Sequence, residues 1–282
     1  MKNGISYTTL DNGVNYFMEG EGYPCIVVTE GEVVSNAMPE SLKKHFKFIY
    51  VNAKMNIKNP GDVTKMSFDT FVEDVEEVRR KVGVEKVFVF GQSISGLIAL
   101  EYARKYPEHT SHVIMNGTPP YMNADLIGIS TAKWNEFASE TRKEAWLKNW
   151  KGASRDSFVK SGTSEDGKQV YILDGPMIWH DYNFDATKLF KNTYWNMEVW
   201  NHIFSKLTVD YDISEGNLIE PPVYLALGKH DYLVHYSVWD DQLSKIPNLT
   251  YKIYENSSHW AFHEEDKLFE KDILEWMGSN HK

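Results

Sequence analysis

Apolar residues fall in two rhythms along this chain. Strand-like runs rich in apolar residues occur at 25–28, 46–51, 87–90, 112–115, 223–227 and 250–254, and those at 25–28, 87–90 and 223–227 are unbroken. Runs of that length without alternation suit strands buried on both faces, as in a mostly parallel sheet. Around Asn12-Gly13 two strand-like stretches within residues 6–18 predict a hairpin, because Asn-Gly fits the tight turn. From Ser67 the rhythm changes. Phe68, Phe71, Val72, Val75, Val78 and Val82 recur at three- and four-residue spacing and predict a helix, with Thr70 and Glu73 as a capping box and Gly83 as its stop. A second helix carries Leu97, Ile98, Leu100 and Ala103 and ends near Pro107, and later helical patterns cover 236–244 and 264–276. Strands alternating with helices predict an α/β fold.

After Pro119-Pro120 the alternation stops, and it resumes at Pro221-Pro222. Residues 121–216 read as helix and hold six of the nine tryptophans: Trp134, Trp146, Trp150, Trp179, Trp195 and Trp200. The expected organisation is an α/β core, 1–120 and 217–282, interrupted by a helical cap, 121–216. Most of these rings are expected to form the cap's own core, since large aromatic residues are usually buried.

Composition narrows the chemistry. At 282 residues the chain can bury a large core. Its formal charge is -10 with no basic stripe, which argues against nucleic acid or an acidic membrane as partner. A lone Cys25 in an apolar run predicts a buried thiol and excludes a disulfide framework or cysteine-based metal site. No apolar leader follows Met1-Lys2, and no run approaches the roughly 18 residues of a membrane span, so a soluble cytoplasmic protein is expected.

The sharpest chemical signal is Gly91-Gln92-Ser93-Ile94-Ser95-Gly96, between the apolar run 87–90 and a helix. A serine at a strand-to-helix corner stands exposed at the sheet's carboxyl edge, with the next amide, that of Ile94, aimed at a developing oxyanion. Ser95 departs from the second glycine of G-x-S-x-G, and Gly96 follows it. Such a serine needs a base, and the base needs a carboxylate. In this architecture the order is serine, acid, histidine. Asp231 follows the run 223–227, and His259 follows the run 250–254. Ser93, His259 and Asp231 are therefore the candidate nucleophile, base and orienting acid. Trp179, Trp200 and His202 of the cap, with Trp260 beside His259, are the candidate substrate contacts.

At these residues the chain resembles the α/β-hydrolase superfamily, and within it the proline iminopeptidase-like and lipase/esterase-like serine hydrolases with a helical cap. The likeness is carried by the elbow, by Leu227-Gly228-Lys229-His230-Asp231, by Ser257-Ser258-His259 and by Asn201-His202. It implies serine hydrolase activity on a small molecule, without a cofactor. Where relatives carry His-Gly before the oxyanion loop, this chain has Glu30-Gly31, so Glu32 would supply the second oxyanion N-H. A carboxylate about 5 Å from an oxyanion opposes it by about 3 kcal/mol at an effective dielectric of about 20, so Glu30 is expected to turn away. The Gly-Gly-Pro-Gly loop of the peptidases is absent, and Trp200 stands where their cap glutamate precedes Asn-His. The leading expectation is cleavage of a small, partly apolar ester or amide. Two alternatives are an iminopeptidase-like aminopeptidase and a ligand-binding or signalling module that keeps the fold.

Overall fold

A computed structural model describes residues 6–216 and 218–279. The expectations placed on Met1, Lys2 and position 217 lie outside them. Eight strands form one sheet: β1 (Thr8–Thr9), β2 (Asn15–Glu19), β3 (Tyr23–Val27), β4 (Phe46–Asn52), β5 (Val87–Gln92), β6 (Thr110–Asn116), β7 (Val223–Gly228) and β8 (Leu249–Tyr254). Their order is β1-β2-β4-β3-β5-β6-β7-β8. The turn at Asn12-Gly13 closes the β1-β2 hairpin, with Thr8 opposite Tyr16, and β2 meets β4 antiparallel. Every later pairing is parallel. β5 and β7 are buried at every position, as their unbroken apolar runs require.

The helices of the core are α1 (Gly31–Ala37), α2 (Phe68–Val82) and α3 (Ser95–Lys105). Ser67 and Thr70 form the capping box of α2, one turn earlier than the Thr70–Glu73 pair expected, because the chain is still extended at Ser67. Gly83 ends it at φ 78°, a conformation that glycine adopts freely.

Alternation along β5 assigns the two faces. A side chain at Gly91 would strike Ser95 and Gly96 of α3. Its neighbours point the other way: Phe88 stacks on His112, His112 meets Trp276 edge-on, and Phe90 meets Phe262 edge-on. Those last rings place the C-terminal helices opposite α3.

Among the described residues no strand lies between β6 and β7. That stretch holds α4 (Ala124–Phe137), α5 (Glu140–Asn149), α6 (Arg155–Ser161), α7 (Ser164–Leu173), α8 (Gly175–Ile178) and α9 (Met197–His202). Side-chain oxygens start several of them: Asn123 caps α4, Ser139 caps α5, Thr163 caps α7 and Asn196 caps α9. Of the expected helix 236–244 only two 3₁₀ turns form, Tyr236–Trp239 and Leu243–Lys245. Trp239 is buried there with its indole N-H on the Thr118 carbonyl at 2.8 Å, so tertiary contact overrides the helical pattern. The chain closes with α10 (Ala261–Glu264) and α11 (Asp266–Ser279). No described helix is long and apolar enough to cross a membrane.

Candidate active site

Ser93 stands between β5 and α3 at φ 55°. A non-glycine residue in the left-handed region costs about 1–3 kcal/mol and persists only where its surroundings enforce it. Here the Ser93 N-H donates to the Asn116 carbonyl at 2.8 Å, and α3 turns away at once. The turn is tight enough that a Cβ on Gly96 would lie 2.0 Å from Thr118 Oγ1. Ser95 needs no such space, because its hydroxyl pairs with that of Thr29, both buried. Ile94 sits at the N-cap of α3, ahead of the helix's own hydrogen bonds.

Asp231 follows β7 in a turn that gives its Oδ1 two N-H bonds, from Leu233 at 2.9 Å and Val234 at 2.8 Å. Its Oδ2 accepts from His259 Nδ1 at 2.7 Å, and neither residue is exposed. A proton on Nδ1 leaves the Nε2 lone pair free, and Nε2 is buried without a hydrogen-bond partner. The imidazole is thus oriented by one carboxylate, with Nε2 uncommitted. Two side chains invisible as a motif fix its main chain: Gln92 Nε2 and Asn116 Nδ2 each donate to the His259 carbonyl at 2.9 Å. Asn116 also donates to Gln92 Oε1 at 2.6 Å, so all three groups form one buried network.

Ser93 and Ile94 open on a cavity of about 300 Å³, whose far walls come from α6, α7 and α9. Trp195, Trp200 and Trp260 contribute to its apolar lining, with Tyr171 and Phe190. Of the expected substrate contacts, Trp200 and Trp260 line this cavity and the other two do not. Trp179 is buried, stacked on Trp260 at 5.6 Å and 15°, and borders a separate, smaller cavity. His202 donates from Nε2 to the Met66 carbonyl at 3.0 Å, a link between α9 and the core.

Glu30 belongs to the cavity wall with Ser93, is only 8% exposed and takes φ 56° at the start of α1. Its N-H is held by Asn56 Oδ1 at 2.9 Å. Burial pushes its carboxyl up to about 7, while the neighbouring Trp195 indole draws it down. Glu32 is not part of the wall, and its carboxyl lies beside Tyr7 and Asn52. Its N-H belongs to the first turn of α1 and is engaged by its own carboxylate. A second acid, Asp174, is also in the wall but is satisfied. Trp146 and Trp150 donate their indole N-H groups to its Oδ1 at 3.0 Å each, and Arg155 pairs with its Oδ2 at 2.8 Å.

Comparison with known proteins agrees with this architecture. Residues 38–266 match the alpha/beta hydrolase fold family. AB hydrolase superfamily protein YclE of Bacillus subtilis is 25% identical over 93% of this chain and 94% of its own. Proline iminopeptidase of Clostridium botulinum is 22% identical over 75% of this chain and 72% of its own. Among solved structures, an alpha/beta fold family hydrolase from Bacillus anthracis superposes with a TM-score of 0.70 at 21% identity, covering 96% of this chain and 98% of that one. A family match over residues 38–266, on a sheet of this strand order, makes the chain a member of the alpha/beta hydrolase fold family.

Proposed function

We propose that the protein is a cofactor-independent serine hydrolase that cleaves a small, partly apolar ester or amide through an acyl-enzyme. The observation that carries this reading is the buried Asp231–His259 pair with its Nε2 uncommitted, together with a Ser93 held in the left-handed region and lining a cavity. Ser93 Oγ attacks the carbonyl carbon while its proton passes to His259 Nε2. Asp231 holds the imidazolium that results, and the amide of Ile94 receives the oxyanion, while that of Glu32, the expected second donor, is engaged by its own carboxylate. The tetrahedral species collapses, His259 returns the proton to the leaving alcohol or amine, and water repeats the sequence on the acyl-Ser93 ester. Residues 121–216 act as a cap on the core formed by 1–120 and 217–282, supplying the apolar wall that keeps bulk water from the ester. The cavity volume lies at the small end of ligand pockets, which favours a compact substrate. Ser93→Ala should lower kcat on an activated aryl ester by about 10⁴-fold or more. Undiminished turnover would refute the assignment, and ligand binding without turnover by the parent would favour a binding module.

Glu30 favours a second reading. Its carboxyl is in the cavity wall, and no basic side chain pairs with it among the described residues, whereas the cap carboxylate Asp174 is taken by Arg155. A protonated substrate amine would find its counter-charge there, among aromatic rings that also favour cations. Ionisation of Glu30 centres near 7, so turnover of a prolyl anilide should rise as pH rises through that value. N-acetylation of the anilide, or Glu30→Gln, should remove the rise. Equal turnover of the free and acetylated anilides excludes this reading.

A further inference from the structure

The loop carrying His259 is held from two directions, and only one belongs to the sheet. Gln92 and Asn116 grip its carbonyl from the sheet side. The other grip comes from residues 176–180, which cover the end of α8 and the turn after it. The His259 N-H donates to the Ile178 carbonyl at 3.0 Å, and Trp179 lies flat against Trp260. Glu264 of α10 joins the two strands of chain. Its Oε2 accepts the N-H groups on either side of His259, from Ser258 at 2.7 Å and Trp260 at 3.4 Å, and its Oε1 accepts the His180 N-H at 2.5 Å. Arg142 of α5 fastens the same segment through its carbonyls: Nη1 donates to Pro176 and Trp179 at 2.7 Å each, and Nη2 to His180 at 2.6 Å.

We propose that Glu264 is a positioning residue for His259, fixing the base to the helical stretch so that the imidazole meets Ser93 only when that stretch is docked. The inference rests on the serine hydrolase reading above. Its physical basis is that a carboxylate offers acceptor sites to three N-H groups at once, in charge-assisted bonds stronger than neutral ones. An amide of the same shape accepts through one oxygen and turns its own N-H₂ toward a donor, so one side of the link is released. Residues 258–260 can then shift against Ser93, and a displacement of about 1 Å in a reacting group costs about 100-fold in rate. Glu264 itself is not in the cavity wall, and of the residues it holds only Trp260 is, so the loss should fall mainly on kcat.

The neighbouring Glu265 provides a control. Its Oε2 accepts from the Asn256 N-H at 2.9 Å and the Ser257 hydroxyl at 2.7 Å, in the same loop, without reaching residues 258–260 or 176–180. Steady-state kinetics on an aryl ester should show Glu264→Gln lowering kcat about 10- to 100-fold, with KM within about twofold, while Glu265→Gln keeps kcat within about twofold. If Glu264→Gln does not fold, Glu264→Asp, charged but too short to span both segments, should give the same split. A folded Glu264 variant with parental kcat, or one in which KM alone rises, overturns the proposal. So does an equal loss of kcat in Glu265→Gln, which would mean general loosening of the loop. Ser93→Ala in the same assay separates failure of this inference from failure of the triad.

Discussion

Ser95 stands where the serine corner is expected to carry its second glycine, and the structure supplies a physical reason why a serine fits. The close approach between strand and helix falls on Gly96, not on position 95, and the Ser95 hydroxyl completes a buried pair with Thr29. Ser95→Gly should therefore fold and keep its activity, losing only the roughly 1 kcal/mol of one neutral hydrogen bond. Gly96→Ala must displace Thr118 and should cost about 3 kcal/mol or more, read as a lower midpoint in urea. Equal midpoints for the parent and Gly96→Ala would contradict this geometry. The local sequence made Ser93, Gly91 and Gly96 legible because backbone crowding dictates those residue types. It did not disclose that Glu30 shares a wall with Ser93, since that depends on Asn56 and Trp195, residues remote in the chain.

Elements were legible in proportion to the strength of their periodicity. The inner strands β5 and β7 follow unbroken apolar runs that suit a doubly covered sheet, the edge strand β8 is half-exposed, and the hairpin follows from Asn12-Gly13. Weak periodicity misled where tertiary contacts decide, as at 236–245, where Trp239 reaches for Thr118. Helices α4 to α9 were legible as helices, but the uses of their tryptophans were not. Trp195 and Trp200 line the cavity, Trp146 and Trp150 neutralise Asp174 together with Arg155, and Trp179 supports Trp260. A ring's role depends on which carboxylate or ring meets it across helices, and no spacing along one helix encodes that. Glu264 escaped notice for a related reason: its partners are backbone N-H groups, which every residue offers.

At the scale of the molecule, the parallel sheet delivers three loops to one edge, after β5, β7 and β8, and the bond between Asp231 and His259 is the tangible product of that delivery. Relatives at 25% identity or less share this frame across most of their length, while the cavity that would select a substrate is built largely from the stretch between β6 and β7. The central claim concerns one oxygen atom, and covalent labelling reads it directly. Treated with a fluorophosphonate and analysed by peptide mass spectrometry, the protein should carry one phosphonyl group, on Ser93, and the His259→Ala variant should label far more slowly. An unmodified Ser93 after prolonged exposure of folded protein, or labelling at the same rate without His259, would contradict the account.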